Sequence, residues 1–221
     1  MAYFTGPNIV TDELKFVVDA GSQRSYSGSG TTVNTLVETV SGTLYNGVGF
    51  SSANGGAFDF DGVDDYIQFS SIPTGVNPGN DGAFSFGGWI NTSNESGFQQ
   101  WIRLSAYFFY LKTDQSYVRI YYGGTPLDFA FTFSHGEWIN LYAVVDRPSN
   151  TIRIYKNGIQ VAVSTSATAT GAVGTGSFNI GGVSGERLEN LIGPISYYNK
   201  ALSVAEISQN YNAQKSRFGL W

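Results

Sequence analysis

The chain contains no cysteine, so disulfides, thiolate nucleophiles and cysteine-ligated metal centres are excluded together. Its single histidine, His135, rules out a zinc site built on two imidazoles, and any Ser-His-Asp arrangement would have to use that one ring. His135 lies in FSHGEW, a turn-like stretch where a solvated imidazole is expected. Charged residues make up only 13 %, and 12 Lys and Arg against a net charge of −5 leave no basic patch to neutralise phosphates. Nucleic acid is therefore not an expected partner. No segment approaches the roughly 18 apolar residues of a membrane span, and MAYFTGPNIV has no basic segment ahead of a roughly 7–15-residue apolar run, so a chain made in a cytoplasm without membrane insertion is expected. No Gly-x-Ser-x-Gly elbow and no P-loop occur, and Gly171, Gly174 and Gly176 lie in a Thr/Ala-rich stretch rather than between a strand and a helix.

What the chain does have is glycine, 28 residues of it, and aromatic side chains at 15 %. With abundant Val, Ile and Thr, this describes many short strands joined by tight turns. Leu14 to Val18 reads as a first strand, followed by the polar loop DAGSQRSYSGSGTT. Phe58 and Phe60 alternate with Asp59 and Asp61, and beyond Gly62 Ile67 and Phe69 alternate with Tyr66 and Gln68. AFSFGGWINTS reads as a strand whose Gly87-Gly88 pair implies a bulge or a close backbone approach. QQWIRLSAYFFYLKTDQSYVRIYYGG holds two or three strands broken at Lys112 to Ser116. Asn140–Val145, a turn at Arg147 to Asn150, Thr151–Tyr155 and Asn157-Gly158 predict a three-stranded meander. SFNIGG is a further short strand. Ser203-Val204-Ala205-Glu206 forms a capping box, so a helix should start there and end near Lys215. About twelve to fourteen strands at turn spacing, with no internal repeat and no linker, predict an all-β fold: one two-sheet antiparallel jelly-roll sandwich over residues 1–221 with one short C-terminal helix.

The stretch AFDFDGVDDYIQF concentrates Asp59, Asp61, Asp64 and Asp65. An EF-hand with Gly62 at position 6 would put Ala57 at position 1 and Gln68 at position 12, so it is not one. A tight connection, with glycine supplying an unusual φ and aspartate oxygens accepting turn N–H groups, is the simpler reading. Tyr107, Tyr110, Tyr121 and Tyr122 are candidate ligand-binding residues, because aromatic faces with a few polar groups grip sugars, although half of such a set must point into the core. The segments 1–13 and 216–221, the latter ending in Phe218, Leu220 and Trp221, are candidate docking arms.

FDGVDDYIQF, FSFGGWI, WINLYAVVDRPSNTIRIYKNGIQV, FNIGG and GPISYYNKALSVAEISQNYNAQKSRFGL, in that order, resemble the laminin-G-like branch of the concanavalin A-like lectin/glucanase superfamily. GPNIVTDELKFVVDAGSQRSYSGSGTT and EISQNYNAQKSRFGL resemble single-domain structural proteins of tailed bacteriophages of aquatic bacteria. The chain departs from the family in having Val33 where members often carry Trp, and Ser196 where they often carry an acid. The resemblance implies a non-enzymatic virion surface protein, a capsid decoration or a tail- or fibre-associated component, located in the virion with other virion proteins as partners. By analogy it would be a homotrimer. A lectin-like adhesion module for host surface glycan is the alternative. The resemblance also implies that no cofactor is required, that a structural calcium would use Asp64 and Asp65, and that Ser196 weakens such a site. The superfamily's glucanases carry E-x-D-x-x-E on one strand, and none of the glutamates here begins that pattern, which sets a glycosidase below both readings.

Overall fold

The computed structural model describes residues 7–221 apart from 39, 70, 72–75, 77–81, 94–95, 105–106, 123–124, 166–177 and 183–185, and apart from the side chains of Phe108, Tyr122 and Thr125. In chain order it contains β1 (Leu14–Val18), β2 (Thr32–Asn34), β3 (Ser41–Tyr45), β4 (Gly49–Ser51), β5 (Ala57–Asp61), β6 (Tyr66–Phe69), β7 (Phe84–Thr92) and β8 (Gln99–Leu104). There follow β9 (Tyr107–Lys112), β10 (Tyr117–Tyr122), β11 (Thr125–Ala130), β12 (Trp138–Asp146), β13 (Thr151–Lys156), β14 (Ile159–Ser164), β15 (Phe178–Ile180), β16 (Glu189–Tyr198) and the helix α1 (Val204–Gln214). The first sheet runs β14-β13-β12-β7-β16-β5-β4 with β1 also on β16, and the second runs β11-β10-β9-β8-β15-β6-β3-β2. Every pairing among the described residues is antiparallel, which makes the predicted jelly-roll sandwich.

The inner faces meet in one core that includes Phe16, Phe58, Phe60, Phe69, Phe86, Trp101 and Phe109. Alternation along β5 and β6 supplies part of it, since Phe58, Phe60, Ile67 and Phe69 are buried while Asp59 and Asp61 are exposed. The Gly87-Gly88 pair answers a close approach. A Cβ at Gly87 would lie 2.1 Å from the Leu141 carbonyl oxygen and one at Gly88 2.0 Å from that of Pro194, so β12 and β16 can flank β7 only where no side chain stands between them.

Sixteen strands among the described residues exceed the predicted twelve to fourteen. β16, the longest, is buried along nearly its whole length and shows no alternation. Its Gly193-Pro194 pair, a poor strand signal, sits at a register shift between Ile192 and Ile195. The other unread strands are β2, β3, β4 and β11: β2 and β4 have three residues each, β3 opens on Ser41-Gly42, and β11 carries Pro126.

The helix starts as predicted: the Ser203 side chain accepts from the Glu206 backbone N–H and the Glu206 side chain accepts from Ser203 in return. It covers the outer face of the first sheet, where Tyr142, Val144, Tyr155, Tyr198 and Ile207 pack together. The segment before β1 joins this layer, with the Val10 N–H donating to Asn210 Oδ1 at 2.8 Å and Tyr198 OH donating to the Val10 carbonyl at 3.0 Å. After the helix, Phe218 stacks on Trp89 at 4.2 Å and against Trp138 at 4.6 Å, while Trp221 stays 93 % exposed.

Candidate functional site

At the β8–β11 end of the second sheet no helix among the described residues covers the outer face. On β9 and β10 alternation sends Tyr107, Phe109, Leu111, Val118 and Ile120 into the core and turns Tyr110, Tyr117, Arg119 and Tyr121 the other way. Antiparallel register sets Arg119 between Tyr110 on one side and Asp128 on the other. The Arg119 guanidinium donates to both Asp128 oxygens, at 2.6 and 2.7 Å. Held by this fork, its carbon lies 4.5 Å from the Phe98 ring centre and 5.8 Å from that of Tyr117. Phe98 in turn meets Tyr110 edge-on at 5.7 Å. Tyr110 OH donates to Glu186 Oε2 at 3.0 Å. Burial first, and then the Glu186 charge, push the Tyr110 phenol up from its ordinary value, so it stays a neutral donor.

The four sequence-predicted tyrosines therefore separate. Tyr107 is a core residue at 1 % exposure whose hydroxyl accepts from Arg147 at 2.6 Å, so the inward half of the alternation claims it and it offers no face to a ligand. Tyr110 and Tyr121 share the outer face, Tyr110 largely covered and Tyr121 half-exposed. The side chain of Tyr122 lies outside the described residues. Arg119, Tyr117, Phe98 and Glu186 complete the surface. Arg119 was detectable in YVRIYY, where it shares the period-two face of Tyr117 and Tyr121. Phe98 and Glu186 reach the sheet from segments outside the strands, with no pattern to announce them.

The acidic stretch lies elsewhere. β5 belongs to the first sheet and β6 to the second, so residues 62–65 are a corner crossing the sandwich rather than a hairpin turn. Gly62 takes φ of 75° there, and a Cβ would meet Glu189 at 2.9 Å. Asp61 Oδ1 accepts from the Val63 N–H at 2.8 Å and Asp65 Oδ2 from the Asp61 N–H at 3.1 Å, which are the turn bonds expected of aspartate. Asp61, Asp64 and Asp65 each place a carboxylate oxygen within 4.8 Å of the others. Asp65 is 3 % exposed, and its Oδ1 is buried with no hydrogen-bond partner among the described residues. Burial raises the Asp65 carboxyl above the usual range, and the charges of Asp61, Asp64 and Asp59 add to this against the opposing Asp61 N–H bond. An all-carboxylate donor set with an orphaned buried oxygen fits a hard, oxygen-seeking cation such as calcium. Asp64 and Asp65 would hold it, joined by Asp61, and the ion would supply charge neutralisation to a desolvated acid.

A shallow pocket of about 290 Å³ on the outer face of the first sheet is lined by Asp59, Glu189, Asn91 and His135 among others. His135 is exposed, and its Nδ1 lies 3.1 Å from the Ser93 carbonyl oxygen.

The fold is widely shared. The binding domain of botulinum neurotoxin serotype G superposes with a TM-score of 0.73 at 13 % identity over 92 % of this chain and 51 % of its own. The binding domain of botulinum neurotoxin DC in complex with SialylT does so with a TM-score of 0.70 at 11 % identity over 92 % and 52 %. A Trypanosoma rangeli sialidase mutant displaying trans-sialidase activity gives 0.70 at 13 % identity over 96 % and 35 %. The chain thus spans about half of those binding domains and a third of the sialidase, and at such identities the likeness is one of fold. No curated protein matches it in sequence. A family profile does match, over residues 60–208, from β5 through the first turn of α1. The chain belongs to the concanavalin A-like lectin/glucanases superfamily.

Proposed function

We propose that this chain is a non-enzymatic, lectin-like binding module whose contact surface is the outer face of the second sheet, from β9 to β11. The observation that carries the reading is the Arg119 fork, fixed by Asp128 and laid over Phe98 beside Tyr117. It presents a pre-ordered aromatic and guanidinium surface with Tyr121 on the same face. Sugar rings pair apolar faces with a rim of hydroxyls, and such a surface offers both partners with little side-chain entropy left to lose. A binding domain of the same fold in complex with SialylT supports a surface-recognition role. The non-catalytic part of the reading rests on the acids: Asp59 and Asp61 are exposed, and Asp61 and Asp65 serve turn bonds.

A glycan array probed with and without a calcium chelator tests the binding role. Selective retention of a saccharide class, lost in Arg119→Ala and Tyr121→Ala, is expected; retention unchanged in both variants would contradict the proposed face, and silence across the array would contradict saccharide binding. Release of reducing sugar from bacterial or algal polysaccharide would contradict the non-catalytic part.

The finer reading places this module on a bacteriophage virion, as a capsid decoration or a tail- or fibre-associated protein, by analogy a homotrimer. It is supported by the resemblance of the two terminal stretches to phage structural proteins. Mass spectrometry of purified particles tests it: hundreds of copies would mean decoration, a few or a dozen would mean tail, and none would refute it.

A further inference from the structure

β14 and β11 are end strands of the two sheets, and they approach each other along one open side of the sandwich. Between them lies a groove of about 550 Å³ lined by Ser116, Ala130, Phe131, Thr132, Lys156 and Val161. Lys156 stands on the inward face of β13. Period two sets it with core Ile152 and Ile154, and its cross-strand partner on β12 is core Leu141. An ammonium is out of pattern there. Its Nζ donates to the Thr132 carbonyl at 2.9 Å and lies 5.2 Å from the centre of the Phe131 ring. Lys156 forms no ion pair among the described residues. The carbonyl occupies one of the ammonium's three donors, so a half-buried positive charge lines the groove with donors to spare.

An inward charge at a sheet edge guards that edge against pairing whether or not anything binds. What points to a ligand is the groove's continuity with the Arg119 face. The β10–β11 ladder runs from Arg119 and Asp128 through Tyr117 and Ala130, and the Phe131 N–H then donates to the Ser116 carbonyl at 2.9 Å. Ala130 thus shares the outer face with Tyr117 and also lines the groove. Asp128 neutralises Arg119, whereas no described acid pairs with Lys156, so discrimination in favour of an anion belongs to the groove. We propose that the groove is a subsite for an acidic saccharide unit, its carboxylate or sulfate on Lys156 Nζ beside the Ser116 hydroxyl and its apolar ring face against Val161. The proposal rests on the lectin reading and names the ligand class of that surface: an anionic glycan. Lysine acts as a point charge, so it accepts either anion.

The labelled, full-length chain is titrated with tetragalacturonate, a sulfated galactan tetrasaccharide and neutral cellotetraose, and binding is followed by calorimetry and backbone NMR. An acidic probe should bind about fivefold or more tighter than cellotetraose at low salt, with shifts at Ser116, Thr132 and Lys156, and the gap should narrow as sodium chloride is raised. A preference confined to one acidic probe identifies the anion. Lys156→Gln should remove most of the preference, and Lys156→Arg, which keeps the charge, should retain part of it. Lys15→Gln, which alters an ion pair with Glu13 at β1, should match the parent. Edge protection alone would move Tm or solubility in these variants and leave the preference where it was. Equal binding of all three probes, or a preference that survives Lys156→Gln, would overturn the proposal. Cellotetraose shifts at Tyr117, Arg119 and Tyr121 with no acidic preference would overturn the groove and leave the lectin face standing. Groove shifts without those would do the reverse, and no shift with any probe would contradict both.

Discussion

Arg217 ties the last turn of the chain to two loops at the far end of the sequence. Its guanidinium donates to both oxygens of Asp19, at 2.7 and 2.9 Å, and to the carbonyls of Asn54 and Gly56 at 2.7 and 2.6 Å. Both members of the ion pair are mostly shielded from solvent, at 19 % and 17 % side-chain exposure, so truncation strands a carboxylate and two carbonyls together. Arg217→Ala should cost about 2–3 kcal/mol, and Arg217→Lys should recover less than half, since an ammonium cannot reproduce the fork. Urea unfolding of the three proteins measures this. At Gly88 the constraint is steric instead. Gly88→Ala drives a methyl to 2.0 Å from a backbone oxygen in the middle of a sheet, and loss of soluble folded protein is the expected result on expression.

Among the elements, the C-terminal helix and its extension show how much local sequence can decide. Ser203 and Glu206 announced the helix because a capping box is a local device, and Ser203→Ala should lower stability by about 1 kcal/mol, read as a drop in Tm. Phe218, just beyond it, is buried between Trp89 of β7 and Trp138 of β12; Phe218→Ala should cost about 3 kcal/mol or more, with near-ultraviolet circular dichroism reporting the altered tryptophans. That contact was not legible, because partners 80 and 129 residues away leave no mark on a six-residue tail. The same division runs through the sheets. β5, β6 and the β12–β14 meander were readable, since one face is wet or a two-residue turn fixes the register. β16 was not, because a strand buried on both faces loses its alternation and Gly193-Pro194 imitates a loop. The binding face was half legible: period two placed Tyr110 and Tyr121 with Arg119, but only tertiary packing could decide that Tyr107 points inward and that Phe98 and Glu186 cap Tyr110.

For the whole molecule, buried tyrosines set an alkaline limit. Burial pushes Tyr198 up to about 12, and pushes Tyr142 and Tyr197 upward as well. An unfolded tyrosine ionises near pH 10, so above that pH the unfolded state sheds protons the folded state keeps, and stability falls as pH rises. The contribution is fully present below about pH 10 and is lost between about pH 10 and 12, on the order of 2–3 kcal/mol for Tyr198 alone. Melting curves between pH 8 and 11.5 should be flat to about 10 and then drop, and Tyr142→Phe should soften that drop. The sandwich supports the outer face of β9 to β11, and saccharide contact at that face is the central claim. Backbone NMR shifts of the labelled chain, titrated with the saccharide that binds best, address this directly: perturbations centred on Tyr117, Arg119 and Tyr121 are predicted, and perturbations confined to the opposite sheet, or none at saturation, would contradict it.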